Sequence, residues 1–194
     1  MKRSVLSIVI SIAVIACTTM ANCCVGQSLP EKIALSDLSG KTISLFQKSA
    51  GSFTVIVFLL PDCPACQSYS KTLNQLASDY SKKNFTFYGV FPGTYNSLDE
   101  MLEFRESYKI NFPLLRDPEK ILVRQLKATT VPQAFVLNKN GEVVYSGRID
   151  DWMYALGKKR SIITKYDLKN AMNELVANKA ISNPVTVPIG CIIE

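Results

Sequence analysis

The chain of 194 residues contains no histidine. Ser-His-Asp and Cys-His catalysis are thereby excluded, as is any metal centre that needs imidazole. A charge switch near neutral pH would fall to cysteine, a perturbed acid or the terminal amine. An excess of one charge is also nearly missing. The formal net charge is +6, and losing Lys2 and Arg3 with a leader would leave about +4. That is too little to argue for a nucleic-acid partner. The longest basic run, Lys158-Lys159-Arg160, reads as a solvated loop. The chain has neither internal repeats nor low-complexity tracts, and its length suits one ordinary domain with a real core. Cysteine is sparse beyond the first residues. Cys17, Cys23 and Cys24 lie in or near the start, leaving one close pair, Cys63 and Cys66, and one distant single, Cys191. Such a domain is not a disulfide scaffold.

Long apolar runs are limited to the start. Lys2 and Arg3 precede an apolar stretch from Val5 to Ala16 broken only by Ser7 and Ser11. It is short for a bilayer span and has the layout of an export signal. The expected organisation is a leader over 1–21, a linker over 22–32, one domain over 33–180 and a C-terminal tail over 181–194. Val14-Ile15-Ala16-Cys17 resembles a bacterial lipobox, in which the cysteine is lipidated and anchors the protein to a membrane. Ala16, Ala21 and Gly26 equally suit ordinary signal cleavage, so lipidation at Cys17 and plain secretion stand as even alternatives. Either way the expected location is the periplasm or cell envelope, where disulfides persist.

Within the domain, Ile33 to Leu45 reads as two short extended pieces around Ser39-Gly40-Lys41. Phe53 to Leu60 is a continuous apolar run rich in β-branched residues, as in a strand buried on both faces. After Pro61-Asp62 the period changes. Ala65, Tyr69, Leu73, Leu76, Ala77 and Tyr80 recur at helical spacing. Phe85 to Phe91 predicts a second strand, and Ser97 with Glu100 a capping box for a helix to about Tyr108. A short strand follows over Phe112 to Leu115, then a helix opened by Asp117-Pro118 and ending near Leu126. Ala134 to Leu137 and Glu142 to Ser146 flank the hairpin turn Asn138-Lys139-Asn140-Gly141, and Leu168 to Val176 predicts a last amphipathic helix. The class is α/β, with a central mixed sheet flanked by helices and an N-terminal hairpin extension.

The chemistry centres on Cys63-Pro64-Ala65-Cys66. Pro64 suits the first helical position, which makes Cys63 the N-cap residue. Unpaired N–H groups and the helix dipole favour a thiolate there, and the thiolate is the form that attacks disulfides. Cys63 is thus the expected exposed nucleophile. Cys66, one turn along, is within disulfide reach and can resolve a mixed disulfide. C-x-x-C alone is a weak signal; between a buried strand and a helix it is strong. Zinc would need two further ligands, and neither histidine nor a second C-x-x-C supplies them. No metal and no cofactor are expected.

The run from Ile56 to Cys66, the segment Thr129-Thr130-Val131-Pro132 and the hairpin from Ala134 to Ser146 resemble the thioredoxin superfamily. They are most similar to its exported TlpA/ResA-like and redoxin (AhpC/TSA-like) branch, as is the opening Leu35-Ser36-Asp37-Leu38-Ser39-Gly40-Lys41. The resemblance covers about Ile33 to Val176 and implies a thioredoxin-like fold. It implies a cis Pro132 facing the cysteine pair and a Val131 backbone that holds an extended substrate chain. It further implies exchange through a Cys63–Cys66 disulfide with protein substrates, first as a reductase fed by a membrane electron donor, with oxidation or isomerisation as alternatives because direction depends on potential against the compartment. Two residues depart from the pattern. Val57 stands where a buried acid often serves the resolving thiol, and Asp62 replaces the usual aromatic before the first cysteine. A carboxylate beside Cys63 opposes its thiolate unless it points away. A thiol peroxidase is the first alternative, but peroxiredoxins carry Thr or Ser and Pro where Leu60 and Ile56 stand. A non-catalytic binding module is the second. Gly147-Arg148-Ile149-Asp150-Asp151, Gly157, Lys159-Arg160 and Gly190-Cys191 resemble a redoxin-like subgroup, and Cys191 reads as a packed small hydrophobe rather than a third redox thiol.

Overall fold

The computed structural model describes residues 26–29, 33–45 and 52–194. The leader, the lipidation candidate Cys17 and the pair Cys23 and Cys24 lie outside the described residues.

Strands β1 (Ala34–Asp37) and β2 (Thr42–Ser44) form the expected N-terminal hairpin. Its turn closes on the Asp37 carboxylate, which accepts from the backbone N–H groups of Ser39 (2.8 Å) and Lys41 (2.9 Å). Strand β3 (Phe53–Phe58) feeds helix α1 (Pro64–Ser81) and then β4 (Phe85–Pro92). Helix α2 (Leu98–Ser107) carries the predicted capping box: Ser97 Oγ accepts from Glu100 N, and the Glu100 carboxylate takes the Ser97 N–H. Then come β5 (Leu114–Asp117), α3 (Ile121–Leu126), β6 (Thr130–Val131), β7 (Gln133–Leu137) and β8 (Val143–Gly147). The chain continues through the small hairpin β9 (Met153–Ala155) and β10 (Lys158–Lys159), helix α4 (Asp167–Val176) and β11 (Cys191–Ile192).

Seven strands make one sheet in the order β2-β1-β5-β4-β3-β7-β8. β4 is parallel to both β3 and β5, whereas β1 runs antiparallel to β5 and β7 antiparallel to β3. The sheet is mixed and flanked by helices, as the pattern of elements requires. β3 lies between β4 and β7, and Val55, Ile56, Val57 and Phe58 are wholly buried. An interior strand covered on both faces has no solvent side, so its sequence has no alternation.

Gly89 on β4 is set by close packing. A Cβ there would lie 2.5 Å from Leu114 Cδ2 and 3.0 Å from Leu59 Cδ1. Gly89→Ala should therefore lower stability by about 1–3 kcal/mol through overpacking, read as a fall in urea midpoint with unchanged slope.

Four local expectations change. β5 runs over 114–117 rather than 112–115, because its register with β4 pairs Gly89 with Leu114 and Pro92 with Asp117. Asp117-Pro118 does not open a helix. Asp117 ends β5, and α3 starts at Ile121 after Lys120 in the left-handed region (φ 52°). Lys158 and Lys159 lie in a two-stranded hairpin with both side chains exposed, so the basic run is solvated but not a loop. Residues 26–29, read as linker, are bound to the sheet edge: Gly26 N donates to Val143 O, Val143 N to Gln27 O, and Leu29 is buried.

Candidate active site

The turn that ends β3 places both sulfurs. Gln67 Nε2 donates to Pro61 O (2.8 Å), and Gln67 N makes the first helical bond to Cys63 O (3.1 Å). Cys63 is the extended N-cap residue of α1 (φ −81°, ψ 114°), and Pro64 takes the first turn, where its missing N–H costs nothing. Cys66 lies on the inner side, fully buried, with Leu60 N donating to its sulfur (3.4 Å). Both are free thiols in the structure.

The opposite wall comes from β6 and the start of β7. The Val131–Pro132 peptide is cis, as the resemblance implied. Gln133 Oε1 accepts from Thr129 N (2.9 Å) and steadies that loop. Cys63 Sγ lies 3.6 Å from Val131 O and donates to it when protonated. The ionised sulfur is stabilised instead by hydrogen bonds from the Cys66 thiol, the Cys191 thiol and the N–H groups of Cys66 and Ala65. Together they outweigh burial and bring Cys63 down to about 5. Burial, then the hydrogen bond that Cys66 donates to Cys63 and the charge on that sulfur, drives Cys66 the other way, well above an ordinary thiol. One thiol is thus poised as thiolate while its partner keeps its proton.

Asp62 is exposed, accepts from Asn96 Nδ2 (3.4 Å) and lines the cleft beside Cys191, whose thiol its charge helps to push up. Val57, in the place of a buried acid, is an apolar core residue on β3. A polar pair drawn from distant parts of the chain braces α1. Tyr69 donates to the buried Asp150 carboxylate (2.7 Å), which also accepts from Trp152 N (2.9 Å), and the Trp152 ring packs edge-on against Tyr69. Among the described residues no group of three His, Cys, Asp or Glu is disposed to hold a metal ion.

Cys63 departs from expectation in one respect. It is not exposed: only 2% of its surface is accessible. The cause is the segment that carries Cys191. β11 pairs antiparallel with β6, with Cys191 opposite Val131 and Ile192 opposite Thr130, and Ile193 N donates to Thr129 O (3.0 Å). A two-residue strand has no readable periodicity, so only the Gly-Cys-Ile-Ile composition hinted at it.

A buried parallel strand that delivers a helix-capping dithiol opposite a cis proline defines a thioredoxin-fold redoxin. The chain belongs to the AhpC/TSA family, whose profile matches residues 25–146. It is 28% identical over 122 residues to the sporulation thiol-disulfide oxidoreductase A of Bacillus subtilis (strain 168), covering 60% of this chain and 70% of that one. In structure it is similar to a hypothetical protein of Sinorhizobium meliloti 1021 (TM-score 0.77, 21% identity, 87% of this chain and 93% of that one). It is also similar to the thioredoxin domain of a thiol-disulfide oxidoreductase from Bacteroides vulgatus (TM-score 0.55, 19% identity, 63% and 86%).

Proposed function

We propose that this protein is a thiol–disulfide oxidoreductase that exchanges the Cys63/Cys66 dithiol with disulfides of protein substrates outside the cytoplasm, running as a reductase. The observation that carries the reading is the Cys63 sulfur at the head of α1, lowered to about 5, with a proton-holding Cys66 one turn along. In the proposed cycle the Cys63 thiolate attacks one sulfur of a substrate disulfide. A mixed disulfide forms and the other substrate sulfur leaves as thiolate, taking a proton from solvent. Cys66 then gives up its proton and attacks Cys63 Sγ, and the substrate's remaining sulfur departs. The substrate gains two electrons and two protons; the enzyme is left with a Cys63–Cys66 disulfide. The Val131 backbone would hold the substrate chain beside Pro132. The spent disulfide is restored by an external dithiol, for which a membrane electron donor is the natural source. The signal-like start supports export, with lipidation at Cys17 or simple cleavage as its two outcomes.

A peroxidatic reading has less support. Position 60 offers no hydroxyl, since Leu60 contributes only its backbone N–H, and that goes to Cys66 rather than to Cys63. Trapping tests the proposal directly. Cys66→Ser combined with Cys191→Ser, so that neither neighbouring thiol can release the trapped chain, should carry, when purified from the cell envelope under acid quench, specific proteins bound to Cys63 that dithiothreitol releases. Recovery of Cys63 bearing glutathione or nothing would sink the protein-substrate claim, and rapid peroxide consumption by the reduced wild type would favour the peroxidase.

A further inference from the structure

The segment after α4 is held firmly at one place and loosely at another. Around 184–186 it runs beside β8: Ser146 N donates to Pro184 O (2.9 Å), Thr186 N donates to Ser146 O (3.0 Å), and Thr186 Oγ1 accepts from Arg148 N (3.1 Å). Val187 is then largely exposed, β11 pairs with β6, the Lys120 ammonium donates to the Glu194 main-chain oxygen, and the half-buried Ile189, Cys191 and Ile193 rest against the core. Two paired residues, with Ile192 74% exposed, make a shallow ladder that can open.

Its position is specific. β11 occupies the backbone edge of Val131, the edge on which the proposed function places a substrate's extended chain, so the two cannot pair there together. Gly190 is a packing requirement, because a Cβ at this residue would stand 1.9 Å from Val131 O and 2.6 Å from Val131 C. Backbone cannot yield as a side-chain tip can. The glycine lets the strand descend far enough to set the Cys191 thiol against Cys63, where it donates to the thiolate. Cys191 is therefore no lone cysteine: it sits where the sulfur of a bound substrate would sit. On its far side the segment borders a cleft of about 660 Å³ walled by Leu60, Asp62, Gly93, Tyr95 and Lys120, which leaves room for it to swing aside.

We propose that the 189–193 segment is a resident substitute for the substrate chain, and that Cys191 is a third exchange thiol that takes Cys63 from the Cys63–Cys66 disulfide. The inference rests on the exchange reading given above. The Cys191 thiol loses its proton and its sulfur attacks Cys63 Sγ. The Cys63–Cys191 bond forms, the Cys63–Cys66 bond breaks, and Cys66 leaves as a thiolate that takes up the proton. One disulfide and one thiol stand on each side, so no external oxidant or reductant is consumed. In the dithiol state the same segment shields Cys63. Burial, reinforced by the Cys63 charge, then pushes the Cys191 thiol up to about 12 and keeps it a donor.

The linkage map and the shielding are tested in the full chain. With Cys66→Ser, one equivalent of diamide should convert most molecules to an intramolecular Cys63–Cys191 disulfide, identified by acid quench, alkylation and peptide mass mapping. In the oxidised wild type the same linkage should account for at least a tenth of the disulfide at Cys63. Gly190→Val should lower the Cys63–Cys191 linkage at least tenfold, leave Cys63–Cys66 formation intact and raise the alkylation rate of Cys63 at least tenfold. Cys191 recovered fully alkylated in both oxidised proteins, or an unchanged alkylation rate in Gly190→Val, would overturn the proposal. Reduction of insulin by Gly190→Val, in which the covering strand is lifted, should depend on Cys63 and Cys66 and reports on the parent reading. A failure there is thus distinct from a failure of the linkage map.

Discussion

Iodoacetamide should modify Cys63 of the dithiol protein with a half-maximal rate near pH 5, while Cys66 and Cys191 stay unmodified through pH 7. Two effects oppose each other in the size of the advantage. At pH 6 a thiol of pKa about 5 is mostly ionised, about 300 times more so than one of about 8.5. Its intrinsic nucleophilicity is lower, by roughly 40-fold over that span at a Brønsted slope near 0.45. A net advantage of about eightfold over an ordinary thiol remains, and it should emerge in full only where Gly190→Val has lifted the covering strand. Because the hydrogen bond from Cys66 leads the causes of the shift, Cys66→Ala should move the midpoint upward. Stability follows with a definite sign. The folded value lies below the unfolded one, so the thiolate's contribution is complete above about 8.5 and disappears as pH falls through about 5. Between pH 7 and pH 5 the dithiol protein should lose about 2 kcal/mol from this group, and Cys63→Ser should lose none of it. Urea unfolding of the two proteins at both pH values measures the difference. A reactivity midpoint at 8–9 would remove the electrostatic basis for Cys63 as nucleophile.

Much of this was legible in the sequence because it depends on short-range pattern. The apolar run over β3, the helical period from Ala65 to Tyr80 and the capping box at Ser97 are each fixed by neighbours within a few residues. The helix-capping cysteine followed from a proline at the first helical position. What escaped has long-range causes. The register of β5 is set by β4, and the contact of β11 with β6 joins residues some sixty positions apart through two residue pairs. The placement of the Cys191 thiol against Cys63 follows from that contact. No local reading of Cys63-Pro64-Ala65-Cys66 would show that a distant glycine lets another thiol settle against it. The bracing of α1 by Tyr69 and Asp150 is hidden for the same reason: the partners are far apart in sequence.

Asp117→Ala should be among the most damaging single changes outside the dithiol, costing about 3–5 kcal/mol of stability. The side chain is wholly buried at the end of β5, yet its role is to cap the start of another element. Its two carboxylate oxygens accept from the backbone N–H groups of Ile121 (2.8 Å), Leu122 (2.9 Å) and Val123 (3.1 Å), the free donors of the first turn of α3. Lys120 occupies the cap position and makes no side-chain cap bond, so the carboxylate takes that role from three residues further back. Alanine would leave three N–H groups, two of them in buried bonds, without partners and out of reach of water. Asparagine keeps one acceptor oxygen but turns an amide N–H₂ toward donors, so Asp117→Asn should fall between alanine and wild type. The loss should also reach the site. α3 passes through Lys127 (φ 51°) and the bond from Ala128 N to Val123 O (3.0 Å) directly into Thr129, which accepts from Ile193. Loosening α3 therefore loosens β6 and the strand that covers Cys63. Urea unfolding at pH 7 should rank wild type above Asp117→Asn above Asp117→Ala, and alkylation of Cys63 should quicken in the reverse order. A cost below about 1 kcal/mol for alanine would mean that water reaches these donors and that the helix start is not sealed as the geometry requires.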